Sequence, residues 1–293
     1  MKRHAGVVAV LAALLPAGCT ALGTFNALVP KDDARVLARD VAYGSHPRQR
    51  LDVYAPPLPG PYPTLIFVHG GSWRSGDKAG YGWAGRALAC RGFVAVLPNY
   101  RLVPEATYPD FVADTAAAIA WAHRNAAEYG GDGDRLAVVG HSAGAYNAAQ
   151  AVLADEFLRA ENVARPVVGA LVSLSGPVDF LPLDTRSTID AFGNVPASEL
   201  PATQPINRVA SPPPTLAIHG TEDETVAPRH ATALVEAVRA AGGSARRILY
   251  AGVDHKGVVL GLSRPLRNRV PTLRDTTTFV HDALGTTPPA DPC

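Results

Sequence analysis

Cysteine is scarce in this 293-residue chain, which carries three. None forms a CxxC pair or joins a closely spaced His and Cys cluster, so no structural metal site is implied. An excess of one charge is missing too. Lys plus Arg number 27 against 26 Asp plus Glu, a net of +1, which implies no basic face and speaks against nucleic acid as a partner. The apolar run near the start, Ala5 to Leu15, has eleven residues, short of the roughly 18 needed to cross a bilayer. There is no internal repeat and no long polar linker, and 47% of the residues are hydrophobic. Together these favour one domain around one large core.

What is present begins with a leader. Lys2 and Arg3 precede the apolar run and Pro16-Ala17-Gly18-Cys19 follows it, the layout of a secretory signal peptide over residues 1–18. The ending resembles a bacterial lipobox, with Pro16 where leucine is usual and Leu15 one place earlier. That resemblance implies lipidation of Cys19, export, and attachment to a membrane surface facing the periplasm or exterior. A plain secreted protein is the alternative. Residues 19–34 then read as a tether and 35–287 as the folded domain. Cys90 and Cys293 remain, and the sequence leaves open whether they bridge. Cys90 ends the apolar pattern Ala87-Leu88-Ala89-Cys90, where a small buried side chain is expected.

The domain has a regular rhythm. Strand-like runs fall near residues 35–43, 49–54, 64–68, 93–97, 135–139, 167–174, 215–218 and 246–250. Helical patterns occupy 80–91, 110–128, 143–154, 228–241 and 272–284. Such alternation predicts an α/β fold: a doubly wound, mostly parallel sheet with helices on both faces and ligands at the carboxyl ends of its strands. The rhythm breaks over residues 177–214, a proline-punctuated stretch that reads as a short cap or as an ordinary surface insertion.

One corner concentrates the chemistry. Val138-Val139-Gly140-His141-Ser142-Ala143-Gly144-Ala145 runs from an apolar strand into an alanine-rich helix and fits GxSxG, a nucleophile elbow. The bland alternative is a helix N-cap serine. A serine nucleophile needs a base, a carboxylate to orient it and donors for the oxyanion, in the chain order Ser, acid, His. Four histidines lie downstream. His230 and His281 fall in helical patterns and His219 precedes any late acid. His255, in a predicted loop after the last strand, is left as the base. Asp223, Glu222 and Glu224 all follow the strand that ends near His219, with Asp179 as a further rival, and position and order do not choose among them. The oxyanion donors fall to the backbone of Ala143, after the nucleophile, and of Gly71 and Ser72, in the glycine loop after an early strand. His69 is expected to pin that loop.

These segments, with HGGSWRSGDK from His69, NYRL from Asn99, HGTEDETV from His219 and DHKGVVLGL from Asp254, resemble the α/β-hydrolase superfamily. The similarity is to its bacterial carboxylesterase branch, near feruloyl esterases and kynurenine formamidases. The resemblance selects Asp223 as the acid, places Trp73 near the acyl or leaving-group pocket, and implies no cofactor and no metal. It implies a serine ester hydrolase acting on small or aryl esters through an acyl-enzyme. An arylformamidase-like amidase is the alternative within enzymes, and a catalytically silent hydrolase-fold surface binding protein the alternative outside them. Substrate and oligomeric state are not readable from the sequence.

Overall fold

A computed structural model describes residues 21–289 and 293. The expected signal peptide and the expected lipidation site Cys19 lie outside the described residues.

In chain order the elements are α1 (Ala21–Leu28), β1 (Arg35–Ala42), β2 (Arg50–Ala55), β3 (Tyr62–Val68), α2 (Gly82–Ala89), β4 (Val94–Pro98), α3 (Asp110–Asn125), β5 (Gly131–His141), α4 (Ala143–Leu153), α5 (Asp155–Ala160), β6 (Val168–Leu174), α6 (Arg186–Phe192), β7 (Thr215–Gly220), α7 (Arg229–Ala240), β8 (Ala245–Tyr250), α8 (His255–Leu260) and α9 (Thr272–Leu284). The strands form one eight-stranded sheet in the order β1-β2-β4-β3-β5-β6-β7-β8. β2 runs antiparallel to both β1 and β4; the remaining pairings are parallel. This is the α/β-hydrolase architecture.

The central strands are apolar throughout because both faces are covered. Alternate side chains of β3 divide between two cores. Ile66 and Val68 join Val138, Phe111, Ile119 and Leu234 on one face. Leu65 and Phe67 join Val139, Trp83, Leu88, Leu273 and Val280 on the other. β3 and β5 therefore end side by side, with Val68 opposite Gly140, and the loops that leave them share one end of the sheet.

Three expectations need correction. The strand before the elbow was expected over 135–139 but runs from Gly131 to His141. Its glycine-rich start pairs Gly131 with Tyr62 and Asp132 with Pro63 across a register shift, so cross-strand pairing overrides local turn propensity. The tether contains a helix, α1. It is fastened by Phe25, edge-on to Trp83 with ring centroids 5.4 Å apart, and by Asn26, which donates to Ala79 O at 2.8 Å and accepts from Trp83 N at 3.1 Å. These partners lie more than fifty residues away, beyond the reach of local pattern. Cys90 is not a free buried thiol: it forms a disulfide with Cys293, with Cα atoms 5.4 Å apart. The bond ties the chain end to the close of α2.

Candidate active site

Ser142 sits at the corner between β5 and α4 with φ 55° and ψ −125°, in the left-handed half of backbone space that side-chain-bearing residues rarely occupy. The corner is tight enough to require its flanking glycines. A Cβ on Gly140 would lie 2.3 Å from Gly144 O, and one on Gly144 would lie 2.3 Å from both Val68 O and His69 O. The Ser142 amide is anchored to Leu174 O at 2.9 Å.

Ser142 Oγ lies 2.9 Å from His255 Nε2, and His255 Nδ1 lies 2.8 Å from Asp223 Oδ2. The structure thus brings the predicted serine, histidine and aspartate into one relay although 81 residues separate Ser142 from Asp223. With Nδ1–H donated to the carboxylate, Nε2 presents its lone pair to the serine hydroxyl. His255 is not in a loop, as expected, but is the first residue of α8. Asp254 caps that helix by accepting from Gly257 N at 2.6 Å.

Asp223 is closed off from solvent, its side chain 0% exposed. Burial alone would raise its carboxyl. Hydrogen bonds from His219, His255 and the Val226 amide outweigh that and hold it far below the usual carboxylate range. Oδ1 takes the amides of Thr225 and Val226 at 3.0 and 2.8 Å. The rivals are placed elsewhere. Glu222 and Glu224 are exposed, and Asp179 pairs with Arg229 at 2.9 Å.

Two histidines that sequence reasoning passed over support the relay. His219 Nε2 lies 3.1 Å from Asp223 Oδ2 and 2.8 Å from Val226 O, so it is a second donor to the same carboxylate. His141 Nε2 donates to His255 O at 3.2 Å, and its ring packs on the His255 ring with centroids 4.9 Å apart. Burial first, and then the neighbouring His255, lower His141 to about 3, so it stays neutral. Only their places, one beside the serine and one four residues before the aspartate, hinted at these roles. His230 and His281 are buried packing residues. His230 Nδ1 accepts from Val178 and Asp179 amides at 3.3 and 3.2 Å, and His281 Nε2 donates to Arg91 O at 2.8 Å.

The loop from His69 to Lys78 borders the serine. Gly71, Ser72 and Trp73 have φ of 136°, 55° and 58°, three consecutive left-handed residues of which two carry side chains. Each of those two costs of order 1–3 kcal/mol, tolerated only where the surroundings dictate the shape. Here they do. His69 Nδ1 donates to Gly70 O at 2.8 Å, its Nε2 lies 3.2 Å from Asn99 Oδ1, and Tyr100 Oη donates to His69 O at 3.0 Å. Burial lowers His69 to about 4. The same Asn99 Oδ1 takes the Lys78 amide at 2.6 Å, while Asn99 Nδ2 donates to Asp77 at 2.8 Å. One side chain therefore closes both ends of the loop, and pinning falls to His69 and Asn99 together.

Among the described residues, the backbone N–H groups of Gly71, Ser72 and Ala143 have no hydrogen-bond partner. Open donors in the loops that border Ser142 are of the kind that can receive a negatively charged oxygen. Trp73, expected to line the substrate pocket, is 3% exposed. Its indole is boxed by Phe111, Tyr146, Phe180 and Phe192 and donates to Asn147 Oδ1 at 3.0 Å. It thus stands as a buried wall behind the loop.

Several known proteins are similar to this chain. The isoprenylcysteine alpha-carbonyl methylesterase ICME of Arabidopsis thaliana is 30% identical over 263 residues, covering 83% of this chain and 61% of that protein. Esterase LipC of Mycobacterium tuberculosis is 36% identical over 228 residues, covering 70% and 56%. The chain spans between 53% and 64% of the length of the curated relatives it matches. A truncated carbohydrate esterase from gut microbiota superposes with a TM-score of 0.76 at 23% identity, covering 88% of this chain and 99% of the other, a likeness of fold. The BD-FAE family signature matches residues 51–238, the span from β2 through the elbow to α7, and the chain therefore belongs to the BD-FAE family of the α/β-hydrolase superfamily.

Proposed function

We propose that the chain is a serine hydrolase of small or aryl carboxylic esters. The observation that carries this is the relay of Ser142, His255 and Asp223 at 2.9 and 2.8 Å. The esterase relatives support the same reaction class.

Ser142 Oγ attacks the ester carbonyl while His255 Nε2 takes its proton. Asp223 holds the imidazole in the tautomer that makes Nε2 the acceptor and stabilises the imidazolium that forms. The amides of Gly71, Ser72 and Ala143 receive the negative oxygen, each donor being worth about 2.7–4 kcal/mol where such donors have been removed. His255 then gives its proton to the leaving alcohol and accepts one from the water that frees the acyl-enzyme. Trp73 and its aromatic box limit the space behind the oxyanion loop, which favours small acyl groups.

The Cys90–Cys293 disulfide supports an oxidising compartment, in keeping with export and with attachment to a membrane surface through Cys19. A globomycin-sensitive shift of the precursor, lost in Cys19→Ser, tests the lipidation.

For the reaction, Ser142→Ala should abolish turnover of p-nitrophenyl acetate while the circular dichroism spectrum stays unchanged. A fluorophosphonate probe should label the wild type and not the variant. Full activity in a folded Ser142→Ala enzyme would overturn the assignment.

A further inference from the structure

The stretch from 177 to 214 was open to two readings, a cap over the site or an ordinary surface insertion. α6 begins with a reciprocal cap between Thr185 and Thr188, which fixes the helix, and its inner side meets the back of the oxyanion loop. Phe192 packs edge-on against Trp73 with ring centroids 5.1 Å apart, and Phe180 lies 6.1 Å from the same indole. Arg74, the next residue of the loop, donates to Asp190 Oδ2, 116 residues away. Asp190 is 16% exposed and is also held by Arg186 at 2.9 Å. The segment is itself moored to the core. Tyr108 N donates to Ala191 O at 2.8 Å, Asn194 Nδ2 donates to Tyr108 O at 3.0 Å, and Tyr146 Oη donates to Thr203 O at 2.6 Å.

We propose that this insertion is a brace for the oxyanion loop, and that Asp190 is a positioning residue acting through Arg74. The loop needs one. Its three left-handed residues run consecutively, and their relaxation would turn the Gly71 and Ser72 amides away from the reacting carbonyl. Asn99 and His69 close the ends of the loop, but Trp73 and Arg74, at its crest, are gripped by Phe180, Phe192 and Asp190 of the insertion. The Arg74 side chain is half-exposed, so its contact with Asp190 adds little to global stability. Its effect is on the placing of donors that matter only in the transition state, where a misplacement lowers kcat rather than substrate affinity.

The rate readout rests on the serine reading above; a second readout does not. Asp190→Asn and Arg74→Gln should each lower kcat for p-nitrophenyl acetate about five- to tenfold, with KM within about twofold and an unchanged melting temperature. The double variant should be no worse than Asp190→Asn alone, since both substitutions break the Arg74–Asp190 contact. Asp190→Glu should recover part of the rate. By hydrogen exchange, Asp190→Asn should speed exchange of the peptide spanning residues 70–76 and leave that of α4 unchanged. An Asp190→Asn enzyme with wild-type kcat, additive losses in the double variant, or unchanged exchange over 70–76 would each overturn the brace. An inactive wild type would count against the serine reading, and the exchange result would still decide the brace.

Discussion

Replacing Asp223 by Asn removes one charge and exchanges one oxygen for an NH2 group, and the surroundings dictate which way the new amide turns. In the wild type Oδ1 accepts from the buried amides of Thr225 and Val226, and Oδ2 accepts from His255 Nδ1 and His219 Nε2. If the NH2 faced the two backbone amides, both would lose their acceptor, at about 1–3 kcal/mol each. If it faces the histidines the cost is smaller, because His219 Nε2–H keeps Val226 O at 2.8 Å and His255 can move its proton from Nδ1 to Nε2. The second arrangement therefore wins, and it leaves Nε2–H pointing at Ser142, unable to act as base. By the behaviour of other serine triads, kcat should fall about 10⁴-fold, or about 5.4 kcal/mol of transition-state stabilisation. The melting temperature should fall by only roughly 3–10 °C, from the loss of about 1–3 kcal/mol of hydrogen bonding. Steady-state hydrolysis of p-nitrophenyl acetate and a thermal melt, with Glu222→Gln and Glu224→Gln alongside, make the measurement. The two exposed glutamate variants should stay within about twofold of wild type. A folded Asp223→Asn enzyme within tenfold of wild-type kcat, or a loss appearing instead at a glutamate, would refute the reasoning.

Acid should weaken the fold well before the carboxylates titrate. His69 and His141 are buried neutral, lowered by desolvation to about 4 and about 3, and His230 likewise to about 4. Above pH 6.5 these rings are neutral folded or unfolded and change nothing. Between pH 6.5 and about 4 only the unfolded chain takes up the protons, so stability falls as pH falls, by up to about 2 kcal/mol per ring at pH 5. Urea midpoints at pH 7 and pH 5 check this, and equal midpoints would contradict it. The Cys90–Cys293 bond closes a separation of 203 residues, restricting the unfolded chain, for which about 2–4 kcal/mol is typical. Reductant should lower the wild-type melting temperature by roughly 5–10 °C and leave that of Cys90→Ser unmoved; a reductant effect on that variant would place the stabilisation elsewhere.

By itself the sequence determined the elements that rest on local periodicity and the residues that rest on local sterics. The alternation of buried strands with amphipathic helices announced the parallel sheet, and α9 runs over the very residues its pattern marks, Thr272 to Leu284. Ser142 could be singled out because a strand-to-helix corner leaves no room for a Cβ at Gly140 or Gly144, a demand readable in five letters. His255 followed by order and elimination. Asp223 did not: three acids shared one strand end, and resemblance rather than position chose among them.

Only the tertiary structure separated those acids, by burying Asp223 under four donors while Glu222 and Glu224 stay in solvent. It also decided what depends on partners far along the chain. α1 forms because Trp83 and Ala79 receive Phe25 and Asn26. His255 opens a helix because Asp254 caps it. Asn99 holds both ends of the loop from His69 to Lys78, Cys90 meets Cys293, and the insertion after β6 contacts Trp73 and Arg74. Local pattern reports what a segment can bury or cap within a few residues. It carries no information about which distant surface will be there to meet it.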